Sequence, residues 1–440
     1  MAGGQDLAYG MKPRVAVIGG GWAGCAAGLR LAEAGIEVTL FEAGMTLGGR
    51  ARAVEINGLD LDNGQHILLG AYTQTLELIA AVSNPHQPVS DAGLLRLPLV
   101  LDQAPDFLLR CPRLPAPLHL LAGLLGARGL SLMDKIAALR WVHRTLKNSD
   151  DVADTSVAKL IADQPEKVRT ALWQPLCIAA LNTAPEHASA KVFKQVLVAA
   201  FGNVRSHSDL LLPRSNLTRL FPQPAAQRMA ELNGQIRLRT RVSAIRTEGR
   251  KLMLTTSLDT SAYDRVVVAV APQHLVKICG GVAELKDIVS AVETYHYEAI
   301  ATAYLQYPSA VRLSRPMLAL AGGPAQFVFD RGQTHGQEGL LAVVVSAASN
   351  LSGYPQSDWM TQIEQQLSRI STMPSLRWHK ALLEKQASYS CRPNIPRPEN
   401  STPHPFIFLA GDYTAGDYPA TLESATQSGV KSAQMLMNSL

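Results

Sequence analysis

The sequence predicts an α/β protein: a Rossmann-like dinucleotide-binding domain split along the chain, an α+β substrate domain and a mostly helical cap. Three observations predict it. A β-branched strand, a run of glycines and a helix follow one another from Arg14. A strand ending in Gly411-Asp412, which runs into another helix, stands near the other end of the chain. Between them, a leucine- and proline-rich block gives way to a stretch that mixes strand and helix patterns.

Arg14-Val15-Ala16-Val17-Ile18 is apolar and β-branched, the pattern of a buried parallel strand. Gly19-Gly20-Gly21-Trp22-Ala23-Gly24 follows and fits G-x-G-x-x-G. Gly19 suits the tight turn, Gly21 the approach of backbone to a pyrophosphate, and Gly24 the close packing of helix on strand. Residues 26–34 read as a helix closed by Gly35. Its N-terminus offers N–H groups and partial positive charge to phosphate. Residues 38–41 read as the second strand, with Glu42 at its end. An acid there can accept hydrogen bonds from a ribose diol, as in NAD or FAD, and disfavours a 2′-phosphate. The glycines alone could make an ordinary turn. Strand, glycines, helix, second strand and acid in this order specify a dinucleotide.

Gly48-Gly49-Arg50 permits a second close backbone approach, and Arg50 can neutralise phosphate as a bidentate donor. This element resembles the FAD-binding segment of the amine oxidase and phytoene desaturase superfamily. In that superfamily a turn placed like Asp62-Asn63-Gly64-Gln65-His66 passes beside the isoalloxazine ring. The resemblance therefore puts Gly64, Gln65 and His66 near a flavin. Without it, the same residues read as a polar turn carrying a surface histidine.

Residues 71–83 read as a helix. From 94 to 132 leucine and proline alternate with Arg96, Arg110, Arg113 and Arg128. The apolar part, 114–127, is shorter than the roughly 18 residues of a spanning helix. Leucines beside arginines suit a segment lying in a membrane interface, or else a helical cap packed on the core. Helices are expected at 134–147, ending at 148–151, and at 155–161, 167–173 and 193–201. The block from about 70 to 203 is thus predominantly helical, and it can enclose a lipophilic substrate.

Leu210-Leu211-Leu212-Pro213-Arg214 returns the chain to the nucleotide domain. A helix is expected at 217–232 and a strand at 235–242, whose end in the superfamily, here Val242, meets the adenine. Residues 251–257 read as its partner and 265–272 as a buried strand. Residues 299–307, 326–330 and 340–346 read as strands of one sheet, crossed by a helix at 359–370, forming the floor of a substrate pocket. Residues 405–412 form the last strand, where Gly411 permits close approach and Asp412 can accept from ribityl or ribose hydroxyls. Thr421 and Leu422 then open a helix whose N-terminus would face the flavin pyrimidine. The expected domains are 12–70, 205–272 and 385–440 for FAD, 71–204 for the cap and 273–384 for substrate.

The 440 residues carry a net charge of +5, with 18% charged and 47% hydrophobic residues. No basic stripe tracks a nucleic-acid backbone, so no nucleic-acid partner is expected. The five cysteines form no Cys-x-x-Cys and have no histidine at metal-ligand spacing, so no metal is expected and the thiols read as free. Residues 1–11 lack the basic start and apolar run of a secretory signal. The expected location is cytoplasmic, peripheral on the inner face of the cytoplasmic membrane.

Beyond the superfamily motifs, Leu61-Asp62-Asn63-Gly64-Gln65-His66, Leu114-Pro115-Ala116-Pro117-Leu118-His119, Leu181-Asn182-Thr183-Ala184-Pro185, Leu212-Pro213-Arg214 and Gly411-Asp412-Tyr413-Thr414 with Pro419-Ala420-Thr421-Leu422-Glu423 span almost the whole chain. Together they resemble the squalene-associated FAD-dependent desaturases, understood as hydroxysqualene dehydroxylases of bacterial hopanoid pathways. Tyr413, where many relatives are expected to carry Trp, and Asp417-Tyr418 depart from that pattern. The resemblance implies non-covalent FAD, a hydrophobic isoprenoid substrate, and reductive removal of the allylic hydroxyl of hydroxysqualene to give squalene. It does not name the electron donor. Hydroxide leaves poorly without a proton, so His66 is the candidate acid and Glu423 the reserve, with helix capping as the simpler role of Glu423. A carotenoid desaturase, a flavin amine oxidase and a non-catalytic flavin-binding protein remain as alternatives.

Overall fold

A computed structural model describes residues 13–83, 93–103, 106–147, 154–353 and 355–440. The N-terminal segment 1–12 and the helix stop expected at 148–151 lie outside the described residues.

The first strand, Arg14–Ile18, sits in the middle of a five-stranded sheet. The order is Gln235–Arg237, Glu37–Phe41, Arg14–Ile18, Arg265–Val268, Ile407–Leu409, and every pairing is parallel. Val15, Ala16 and Val17 have no exposed surface, as a parallel strand covered on both faces requires. The helix Trp22–Glu33 begins earlier than apolar periodicity suggested, directly at the end of the glycine turn. The C-terminal helix Leu422–Met437 lies against it. A Cβ on Gly429 would fall 2.2 Å from the carbonyl of Ala23, so glycine is what lets the two helices meet.

A second sheet is antiparallel throughout: Met317–Ala319, Phe327–Asp330, Leu340–Val345, Tyr297–Gln306, Trp378–Tyr389. Its period-two pattern sorts the two faces. Ile300, Phe327, Phe329 and Val344 line a cleft shared with the parallel sheet. Ala301, Ala303, Leu305, Val328, Leu341 and Val343 pack with Trp359, Met360, Ile363 and Leu367 of the helix Gln356–Ser368.

The structure revises four sequence expectations. The strand expected at 235–242 stops at Arg237, because the N–H groups of Arg239 and Thr240 turn to the carbonyls of Gly44 and Glu42 (2.9 Å each). Arg239 takes φ +53°, and Val242 heads a separate strand, Val242–Glu248, in a three-stranded meander. The helix expected at 217–232 breaks at Phe221, where Pro222 excludes a continuous helix, giving Leu217–Leu220 and Pro222–Glu231. The region expected to form a helical cap is less helical than that: Leu94–Leu97 pairs with Leu210–Pro213, and Val100–Gln103 with Phe107–Arg110. Its helices are Leu118–Leu125, Leu132–Lys147, Gln174–Leu181 and Ala190–Phe201, with shorter turns between. Finally, the strand Trp378–Tyr389 crosses the boundary set at residue 385, so the second sheet extends beyond it.

Candidate active site

A cleft of about 890 Å³ opens at the carboxyl ends of the parallel strands, where open α/β sheets bind ligands. Its floor is the glycine turn. Gly19 has φ +109°, and a Cβ there would lie 2.5 Å from the carbonyl of Ala269, so the turn admits only glycine. At Gly21 the nearest atom to a Cβ would be Cα of Gly49, 3.9 Å away. This open backbone face between Gly21 and Gly49 is a cradle with room for a pyrophosphate. Gly48 donates its N–H to the carbonyl of Gly20 (2.8 Å), which ties the second glycine pair to the first. Gly24 does not line the cleft and packs beneath Gly19. Ala23 lines it. Trp22 donates from Nε1 to the carbonyl of Ala51 (3.1 Å) and packs on Phe221, so its ring props the Gly48–Arg50 loop.

Glu42 stands at the lip of the cleft. Its Oε2 accepts from the N–H of Gly20 (2.8 Å) and its Oε1 from that of Gly44 (2.6 Å). Both bonds orient the carboxylate, and its further lone pairs can accept from a ribose diol. Val242 also lines the cleft, from the head of its strand.

Arg50 and Asp412 both line the cleft, but not as the independent groups the sequence suggested. Arg50 Nη2 donates to Asp412 Oδ1 (2.6 Å), and Nη1 to the carbonyl of Ala387 (2.9 Å). The guanidinium expected on phosphate therefore joins the glycine loop to the last strand and the second sheet. Gly411 donates its N–H to Ser428 Oγ (2.9 Å). Thr421 is the N-cap of the C-terminal helix, its hydroxyl accepting from the N–H of Ser424 (3.1 Å). Thr421 and Leu422 thus bring the positive end of that helix to the cleft.

The turn after the strand Leu59–Asp62 supplies Gly64, Gln65 and His66 to the same cleft. His66 Nδ1 lies 2.8 Å from the carbonyl oxygen of Gly64. A carbonyl only accepts, so Nδ1 carries the proton and Nε2 keeps its lone pair in the neutral ring. Burial holds the His66 pKa below its ordinary value, against the opposing pull of the Gly64 bond. Behind the turn, Asp62 is buried, and its carboxyl is pushed up to about 7 by desolvation, opposed by the N–H of Leu217 and by Arg331.

Glu423 is not in the cleft. Its side chain is fully buried, accepting from the N–H groups of Gln74 (3.0 Å) and Thr75 (2.8 Å) and from Gln427 Nε2 (2.8 Å). It caps the helix Thr73–Val82, so the role of reserve acid is withdrawn. Sequence reasoning missed Asn182, which has φ +47°, donates to Ser388 Oγ (2.9 Å) and accepts from the N–H of Ala347 (2.7 Å) at the cleft wall. Its Leu-Asn-Thr-Ala-Pro setting was the available signal. Arg331, buried beside the turn that carries Gln65, left no signal at all.

Over residues 22–437 the sequence matches the family described as flavin containing amine oxidoreductase. The chain belongs to this family. It is an FAD-dependent oxidoreductase, and the glycine cradle, the oriented Glu42 and the C-terminal helix fit that cofactor. Among its relatives are the hydroxysqualene dehydroxylases of Zymomonas mobilis subsp. mobilis (24% identity over 96% of this chain and 98% of that one) and Rhodopseudomonas palustris (26%, over 97% and 99%). The zeta-carotene desaturase of Zea mays is 23% identical over 96% of this chain and 82% of its own length. Of solved structures, a putrescine oxidase triple mutant superposes with a TM-score of 0.73 at 15% identity, covering 97% of this chain and 99% of that one. A putative protoporphyrinogen oxidase from Exiguobacterium sp. 255-15 gives 0.68 at 16%, covering 98% and 100%. These two similarities show the fold alone.

Proposed function

We propose that this oxidoreductase removes the allylic hydroxyl of hydroxysqualene reductively, giving squalene. One observation carries the reading beside the end-to-end similarity to hydroxysqualene dehydroxylases. Besides the polar glycine cradle, the cleft is lined by apolar Ile67, Ala179, Ile300, Phe327, Phe329 and Val344, four of them from one face of the second sheet. An isoprenoid chain fits such a wall, and exclusion of water protects an electron-poor allylic carbon. Bound in the cleft and reduced, FAD would supply the hydride. The remaining requirement is a proton for the departing oxygen, so that one C–O bond breaks, one C–H bond forms and water leaves. We assign that proton to His66. Nδ1–H is held by Gly64, so transfer goes through Nε2 of the imidazolium. Depressed basicity makes this imidazolium scarcer but a stronger acid than that of an exposed histidine. Incubation with hydroxysqualene, phytoene and amines, under reducing and oxidising conditions, tests the reading. Squalene formed from hydroxysqualene under reduction alone is the expected result. Desaturation of phytoene under oxidation, with hydroxysqualene untouched, would move the protein to the carotenoid desaturases.

The substrate is a lipid, and the cap offers a surface for one. Leu114, Leu118, Leu121, Leu125, Leu132 and Met133 are exposed, flanked by exposed Arg110, Arg113 and Arg128. Among the described residues no helix is long and apolar enough to cross a membrane. We infer peripheral attachment through this leucine face, on the cytoplasmic side. Leu120 and Leu124 of the same helix turn inward, against Trp141 and Trp173. Replacing Leu118, Leu121 and Leu125 with Ser is therefore expected to abolish flotation with anionic liposomes and leave FAD content intact. Unchanged flotation would refute the attachment. On this reading residues 71–204 form the cap, 273 to about 389 the substrate domain, and the remaining described segments the FAD domain.

A further inference from the structure

Arg331 is fully buried at the start of the short helix Arg331–His335, which follows directly on the strand Phe327–Asp330 of the second sheet. A buried guanidinium is costly unless acceptors or an aromatic face hold it. Its Nε donates to Gln337 Oε1 (2.6 Å), and Tyr304 lies under its guanidinium, 5.7 Å from ring centre to Cζ. Asp62 Oδ2 is 3.9 Å from Nη1. Nη2 has no partner among the described residues. The remaining bond points toward the cleft: Nη1 donates to Gln65 Oε1 at 3.0 Å.

That bond decides which way the Gln65 amide faces. A guanidinium has only donors, so it must take the amide oxygen, and a flipped amide would set N–H against N–H. Gln65 lines the cleft, and its Nε2 has no hydrogen-bond partner among the described residues. The amide thus offers its donors to the cleft beside His66.

We infer that Gln65, oriented by Arg331, is a donor subsite for the oxygen of an allylic alcohol or ether, with Arg331 as its positioning residue. This rests on the reading of the protein as a dehydroxylase. The donor holds the departing oxygen where His66 Nε2 can reach it. It also favours the oxygenated substrate over the hydrocarbon product, because a site built to donate loses a hydrogen bond when the oxygen is gone. No bond is made or broken at Gln65.

The test uses the oxidised holoenzyme and two unreactive probes, squalene and the methyl ether of hydroxysqualene. The ether oxygen accepts but cannot donate. Affinities are read from the perturbation of the flavin absorbance. Wild type is expected to bind the ether more tightly. Gln65→Glu keeps an acceptor for Arg331 and removes the N–H donors, so ether affinity should fall about tenfold relative to squalene, the scale of one lost hydrogen bond. Arg331→Met should narrow the same ratio without loss of FAD, and Arg331→Lys, which also only donates, should restore part of it. If the ratio is the same in wild type and Gln65→Glu, the subsite is overturned and the dehydroxylase reading stands. If wild type binds neither probe, both fall.

Discussion

At His66 one hydrogen bond fixes the proton inventory. With Nδ1–H given to Gly64, only Nε2 can gain or release the proton that leaves with the hydroxyl. Burial holds the pKa below its ordinary value, so the neutral ring is favoured and the imidazolium grows as pH falls. The single-turnover rate of reduced enzyme should therefore rise about tenfold per unit as pH drops from about 8 toward the depressed pKa. His66→Ala should lose that slope and slow the reaction about 10²–10⁴-fold while retaining FAD. A variant with the wild-type rate and slope would remove His66 from the mechanism. Gly21 permits a cleaner test of the cradle. Its backbone is extended (φ −74°, ψ −179°), a conformation valine adopts, and a Cβ there meets no protein atom closer than 3.9 Å. Gly21→Val should therefore fold and lose FAD. Retention of stoichiometric flavin would place the pyrophosphate elsewhere. Capping was the simpler role expected of Glu423, but neither the helix it caps nor the partner of Arg50 was legible: Thr75 and Asp412 are 348 and 362 residues distant, and a residue type does not disclose a partner so remote.

Among the elements, the helix Thr73–Val82 has no cap of its own, and the buried carboxylate of Glu423 supplies one. Glu423→Gln weakens two charge-assisted bonds and should cost about 1–2 kcal/mol. A lower melting temperature with an unchanged single-turnover rate at low temperature is expected. A rate loss without a stability loss would return Glu423 to the chemistry. The first strand, the fingerprint helix and the second strand were legible because local signals agree there: a continuous apolar run, glycines and a Gly35 stop. The strand Trp378–Tyr389 was not, since its charges (Lys380, Glu384 and Lys385) blur the period of an edge strand. The stretch Leu94–Leu97 was misjudged because its strand character comes from pairing with Leu210–Pro213, which composition does not announce.

On the scale of the whole molecule, segments nearly 400 residues apart share one sheet: Arg265–Val268 joins Arg14–Ile18 to Ile407–Leu409. The cleft exists only because this closure brings Gly21, Gln65, His66, Asp412 and Thr421 to one place. That the glycine turn, Glu42 and Thr421 line one cleft was legible, because the dinucleotide fingerprint follows fixed spacing along the chain. The apolar lining was legible only as a region, since which face of each strand supplies it depends on how the second sheet packs. On the reading proposed above, this cleft reduces an allylic alcohol. The most direct test is a single anaerobic turnover in which protein reduced beforehand is mixed with one equivalent of hydroxysqualene. One squalene should form per flavin reoxidised, at matching rates. Flavin that stays reduced while hydroxysqualene is recovered unchanged would contradict it.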